Sequence, residues 1–122
     1  MLRSMFLVGA GSFFGGALRY LISMLLKSAC GTLFPLGTFV VNSLGCLLLG
    51  IVLGLFGKYN ATLSPWCLFL SVGFCGGFTT FSTFANESLR ILQDGFLSLV
   101  SYVAASIVAG VLLVALGYWI AK

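Results

Sequence analysis

Polar residues are so thinly spread along this chain that its pattern reads as four long apolar blocks with short polar breaks between them. The blocks run from about Ser4 to Leu26, Leu36 to Phe56, Trp66 to Leu92 and Phe96 to Ile120. Each reaches the roughly 20 residues a helix needs to cross a hydrocarbon core about 30 Å thick. The pattern predicts an all-α membrane protein, a single transmembrane domain over 1–122 with spans at 4–26, 36–56, 66–92 and 96–120. The punctuation agrees. Pro35-Leu36-Gly37-Thr38 is a helix entry, since a first-turn proline forfeits no intrahelical bond. Gly57-Lys58-Tyr59-Asn60 closes the second block, and Ser64-Pro65-Trp66 opens the third with an interfacial tryptophan. Met1-Leu2-Arg3 before an apolar run resembles a signal peptide, but the run continues to Leu26 without a small-residue cleavage site and predicts a retained helix.

Small residues punctuate the blocks at helical spacing. Gly11 and Gly15, and Gly50 and Gly54, lie four apart and predict close helix crossings. The third block is different. Gly76-Gly77-Phe78-Thr79-Thr80-Phe81-Ser82-Thr83-Phe84 sets adjacent glycines beside β-branched and aromatic residues, poor material for a continuous helix. The segment begins about ten residues, or roughly 15 Å, into the span, which is mid-bilayer. It predicts a helix broken near 76–80, with a second half from about Thr80 to Leu92. Non-helical backbone at that depth survives where it is buried in protein or lines a polar cavity.

Composition strengthens the membrane reading: 61% of the 122 residues are hydrophobic and 7% charged, against about 25% charged in a soluble domain. The net charge of +4 does not indicate nucleic acid, because Arg3, Arg19, Lys27, Lys58, Arg90 and Lys122 are scattered singly and form no basic stripe. Cys30, Cys46, Cys67 and Cys75 lack metal-ligand spacing and histidine is absent, so the cysteines read as small packing residues. Four spans place Arg3, Lys58 and Lys122 on one side and Lys27, Arg90 and, if it snorkels from the end of the first helix, Arg19 on the other. Three against three gives no orientation preference, which suits opposite insertion of two copies and antiparallel pairing.

The polar residues inside the blocks are neutral donors: Asn42, Ser43, Thr79, Thr80, Ser82, Thr83, Tyr102 and Ser106. Ser98, Tyr102, Ser106 and Gly110 recur every four residues on one helical face. No charged side chain stands at mid-depth, and a proton-coupled carrier needs such a carboxylate. Neutral donors suit a small anion. Phe81 and Phe84 lie three apart, and their positive ring edges could solvate it. A phenylalanine pair at this spacing is usually core packing, and on spacing alone that is the plainer reading. No nucleophile–base pair or phosphate loop is present, so an enzyme is not expected.

The run 76–84 followed by Glu87, with Gly15-Gly16-Ala17-Leu18-Arg19-Tyr20 and Gly37-Thr38-Phe39-Val40-Val41-Asn42, resembles the Fluc (CrcB) fluoride channel family over the whole chain. The resemblance implies passive fluoride export that relieves toxicity, in the plasma membrane of a prokaryote. It implies an antiparallel dual-topology homodimer with two pores. Phe81 and Phe84 would line them, Asn42 would donate its amide to the ion, and Ser106 and Tyr102 with Thr83 and Ser82 would form a polar track. Arg19 would draw anions into a vestibule, a role compatible with interfacial snorkelling. Gly110 stands where the family has a further hydroxyl. A structural sodium ion would be held by the Gly76 and Thr79 backbone carbonyls of both subunits. From the pattern itself, a close glycine crossing without an ion is the plainer reading of that segment. Glu87 reads as a solvated or hydrogen-bonded helix-end residue. Two other classes compete: a four-helix proton-coupled multidrug exporter, which lacks its carboxylate in the first span, and a structural membrane subunit, which gives no reason for a donor-rich break.

Overall fold

The computed structural model describes residues 1–30 and 35–122, with no strand among them. The connection expected before Pro35 and the side chain of Cys30 lie outside the described residues. Helices α1 (Leu2–Cys30) and α2 (Leu36–Lys58) are continuous. The third span is composite: α3 (Pro65–Leu68), a π-helical stretch (Phe69–Cys75), α4 (Gly76–Phe78) and, after a non-helical step, α5 (Ser82–Asp94). Helix α6 (Phe96–Ala121) follows. Leu2–Ser28, Leu36–Lys58, Pro65–Asp94 and Phe96–Ala121 are each long and apolar enough to cross a membrane.

The ends follow from local chemistry. Ser64 caps α3, its hydroxyl accepting the Cys67 N–H at 3.2 Å, with Pro65 at the first helical position. Past the end of α2, Asn60 takes a left-handed conformation (φ 53°), and the Ala61 N–H closes onto the Phe56 carbonyl at 2.7 Å. Asparagine tolerates that conformation better than other non-glycine residues. Helix α1 is 29 residues long, about 43 Å at the α-helical rise. Arg19 therefore lies well inside it, not at its end as the pattern suggested.

The spans pack as two parallel pairs. In the first, a Cβ on Gly50 would run into the Val114 carbonyl, and one on Gly117 into that of Leu47. Cys46 lies opposite Gly110, and Gly54 opposite Tyr118, so α2 and α6 advance in the same direction. In the second pair, Gly11 and Gly15 of α1 press against the backbone at Phe69 and Phe74, and Gly77 against that of Ser12. These glycines remove the side chains that would hold the backbones apart, the main source of helix affinity in lipid. The interior is small: Thr38, Val41, Val52, Cys67, Cys75, Phe78 and Tyr102 are buried. Phe6, Phe13, Leu112 and Trp119 point outward, as expected of a protein solvated by acyl chains.

Candidate functional site

The chain leaves the helix at Thr79, whose backbone is extended (φ −85°, ψ 162°). The break expected near 76–80 falls at the end of that run, since Gly76 and Gly77 are still helical. Gly77 instead serves packing, because a Cβ there would stand 2.7 Å from the Ser12 carbonyl oxygen. What holds the break is a side chain from another helix. Asn42 of α2 accepts the Thr80 N–H on Oδ1 at 2.7 Å and donates Nδ2 to the Thr80 carbonyl at 3.0 Å. This two-point pairing satisfies both peptide groups of a residue with no helical partner, which buried backbone requires. Thr80 then restarts the helix. Its hydroxyl accepts the Thr83 N–H at 3.2 Å and donates to Thr83 Oγ1 at 3.2 Å, with Ser82 Oγ at 3.5 Å.

Upstream, the span is π-helical over Phe69–Cys75. Side chains claim carbonyls there: Ser71 Oγ donates to the Cys67 oxygen at 2.7 Å, and Ser12 of α1 donates to Gly73 at 3.2 Å. Hydroxyls inserting into a helical ladder are a recognised cause of local irregularity.

Beside the break opens a cleft of about 560 Å³ between α2, the third span and α6. Asn42, Gly76, Thr79, Phe81, Phe84 and Ser106 all line it, together with Cys46, Cys75 and Gly110. No charged side chain contributes to its wall among the described residues. The rings of Phe81 and Phe84 lie 6.0 Å apart at 42°. Phe81 is 79% exposed, so its ring projects out of this subunit across the cleft mouth. Ser106 Oγ is buried and makes no hydrogen bond of good geometry, although the Tyr102 phenol one turn away is near enough to interact with it. A buried hydroxyl without a well-placed acceptor is costly.

The remaining predicted residues stand apart from that wall. Ser82 and Thr83 gather at the Thr80 hydroxyl, while the Tyr102 phenol donates to Glu87 Oε2 at 3.4 Å. Arg19 Nε donates to the Gly77 carbonyl at 3.2 Å, fastening α1 to the last turn before the break. A cation at that carbonyl end also complements the helix dipole. Two residues emerge that the sequence pattern left outside the site. Thr38 Oγ1 donates to Glu87 Oε1 at 2.8 Å, so Glu87 ties α2, α5 and α6 together at one end of the cleft. Phe84 bridges the two regions, its ring 5.2 Å from that of Tyr102. Helical spacing was the available signal: Thr38 is one turn from Asn42, and Glu87 one turn from Phe84 and Thr83.

Known proteins match this sequence over nearly its whole length. A sequence profile described as "CrcB-like protein, Camphor Resistance (CrcB)" matches residues 6–118. A fluoride-specific ion channel FluC of Azobacteroides pseudotrichonymphae is 45% identical over 119 residues, covering 97% of this chain and 95% of the relative. One of Phocaeicola vulgatus is 42% identical over 122 residues, covering 99% and 100%. A more distant one from Leptospira interrogans retains 34% identity over 98% of this chain and 95% of its own length. Matches that run through every span, including the broken one, carry one conclusion: the chain belongs to the CrcB-like protein family.

Proposed function

We propose that this chain is one subunit of a fluoride-selective passive channel that exports fluoride across the membrane of a prokaryote. The observation that carries the reading is the cleft at the helix break, where a buried Ser106 hydroxyl without a well-placed partner meets two phenylalanine rings and no charge. Relatives named for fluoride conduction, aligned over nearly the whole chain, give the ion its identity. The chemistry is consistent. Fluoride is small and strongly hydrated, so losing water is its main barrier, and closely spaced donors offset that loss. Ser106 Oγ supplies one donor. Asn42 supplies another, because only one of its two amide protons is spent on Thr80. The edges of Phe81 and Phe84 add positive potential without a full charge that would trap the ion. Chloride is larger and accepts hydrogen bonds more weakly, so the same donors compensate it less. Tyr102, Thr83 and Ser82 continue the polar track beyond Phe84, and Arg19 draws anions toward the vestibule.

One subunit leaves the cleft open and the Phe81 ring exposed at its mouth. In our reading a second copy closes it, inserted in the opposite orientation as the balanced charges of the two sides permit. Two such clefts give two pores per homodimer. The helix break suits a structural sodium ion bound by Gly76 and Thr79 carbonyls from both copies. In support, the Thr80 N–H that would close onto the Gly76 carbonyl in a continuous helix goes to Asn42. Uncommitted carbonyls at an unwound segment are apt ligands for sodium.

Anion efflux from liposomes holding the purified protein tests the reading, with fluoride and chloride followed by ion-selective electrodes under a potassium-ionophore clamp. Rapid fluoride release with chloride retained is the expected result. Fluoride retention by well-incorporated, dimeric protein would sink the channel and favour a structural subunit.

A further inference from the structure

In an uninterrupted α-helix the Gly76 and Thr79 carbonyls would receive the N–H groups of Thr80 and Thr83. Both N–H groups are committed elsewhere, and in each case a side chain takes them. Asn42 Oδ1 accepts from Thr80 at 2.7 Å, and Thr80 Oγ1 accepts from Thr83 at 3.2 Å. The second Asn42 bond, Nδ2 to the Thr80 carbonyl at 3.0 Å, locks the orientation of that residue. The Thr79 hydroxyl and N–H both turn back to the Cys75 carbonyl, at 3.0 Å each, which leaves Gly76 as the first carbonyl without its helical donor. Gly76 also faces open space, with nothing within 4 Å of where a Cβ would stand.

We infer that Asn42 and the Thr80 hydroxyl are positioning residues for the cation site: they draw two backbone N–H groups away and so keep the Gly76 and Thr79 carbonyls available to sodium. Neither side chain need touch the ion. The inference rests on the sodium reading above and adds the cause of the site. It gives Asn42 a task besides offering its remaining amide proton to fluoride, and it gives Thr80 a task no other reading assigns. Without the Asn42 acceptor, the nearest helical acceptor for the Thr80 N–H is the Gly76 carbonyl, and a buried donor does not stay unpaired. Helix would then propagate across the break and consume the ligand.

The test reads sodium binding and not conduction. Thermal unfolding of the purified full-length protein is followed while sodium chloride replaces N-methyl-D-glucamine chloride at constant ionic strength. A bound ion raises Tm with its concentration. Wild type and Thr80→Ser, which keeps the hydroxyl, are expected to share one sodium curve. Asn42→Ala and Thr80→Val are expected to need about 10- to 100-fold more sodium for the same rise, the usual cost of losing an outer-shell partner. A plain packing loss would lower Tm at every concentration and leave the sodium midpoint in place. Variants that follow the wild-type midpoint overturn the inference while leaving sodium binding intact. A wild-type curve flat in sodium overturns the sodium reading, and this inference with it. Where Asn42→Ala yields no folded protein, the comparison of Thr80→Val with Thr80→Ser decides between these outcomes.

Discussion

Gly76 and Gly77 are neighbours with the same helical backbone, and the structure assigns them opposite sensitivities to a single methyl group. A Cβ on Gly77 would stand 2.7 Å from the Ser12 oxygen and 2.8 Å from the Ser12 Cα, both backbone atoms of α1. Ordinary contact begins near 3.4 Å, so α1 and the third span must separate by about 0.7 Å to admit it. Backbone cannot yield as a flexible side chain does. The same crossing is held by Gly11, Gly15 and Gly73, so separation loosens contacts along its whole length. Overpacking of this kind costs about 1–3 kcal/mol. Gly77→Ala should therefore lower the thermal midpoint of the detergent-solubilised protein by several degrees. Gly76→Ala meets nothing within 4 Å in its own subunit, and there alanine gains roughly 0.8–1 kcal/mol of helix propensity. Monomer stability should hold or rise. In the proposed dimer a second copy would meet that methyl group, so any loss should appear only in dimer recovery on size-exclusion chromatography. Scanning fluorimetry of both variants with matched circular dichroism spectra decides the matter. Equal tolerance of the two substitutions, or a monomer destabilised equally by both, would refute the account of these glycines as one packing residue and one open residue.

Replacing Phe81 or Phe84 with Ile should nearly abolish fluoride efflux from liposomes while leaving the elution profile of the assembled protein unchanged, since bulk is kept and only the ring edge is lost. Ser106→Ala removes a buried hydroxyl that has no well-placed partner; the subunit should be as stable or slightly more so, and fluoride flux should fall, a split that ordinary core packing would not produce. Thr38→Val deletes the 2.8 Å bond to Glu87 and should cost about 1–3 kcal/mol in unfolding free energy. Tyr102→Phe, which loses the longer 3.4 Å bond to Glu87, should cost less. Equal penalties would show that Glu87 is not held mainly by Thr38.

The membrane class was legible from the chain alone, because length and continuity of apolar residues are one-dimensional quantities that the bilayer thickness reads directly. Glycine pairs were legible for the same reason: four-residue spacing places small residues on one face, whichever helix they meet. The neutral polar residues and the Phe81–Phe84 pair were visible as candidates. Their convergence was not, since Asn42 and Ser106 sit 64 positions apart and reach one cleft only through the parallel packing of α2 and α6. The place of the helix break shows the limit most clearly. Propensity marked the run 76–80, beginning at Gly76-Gly77, a local property. The helix continues through both, and it opens at Thr79–Thr80 because an asparagine 38 positions away satisfies the Thr80 peptide in two directions. Glu87 stayed a helix-end residue in the sequence, because the bond from Thr38 that draws it into the bundle spans 49 positions. Local propensity sets what a segment costs to bend. In a medium without water, the neighbour that can satisfy the freed backbone groups decides where it bends, and that neighbour exists only once the helices have packed.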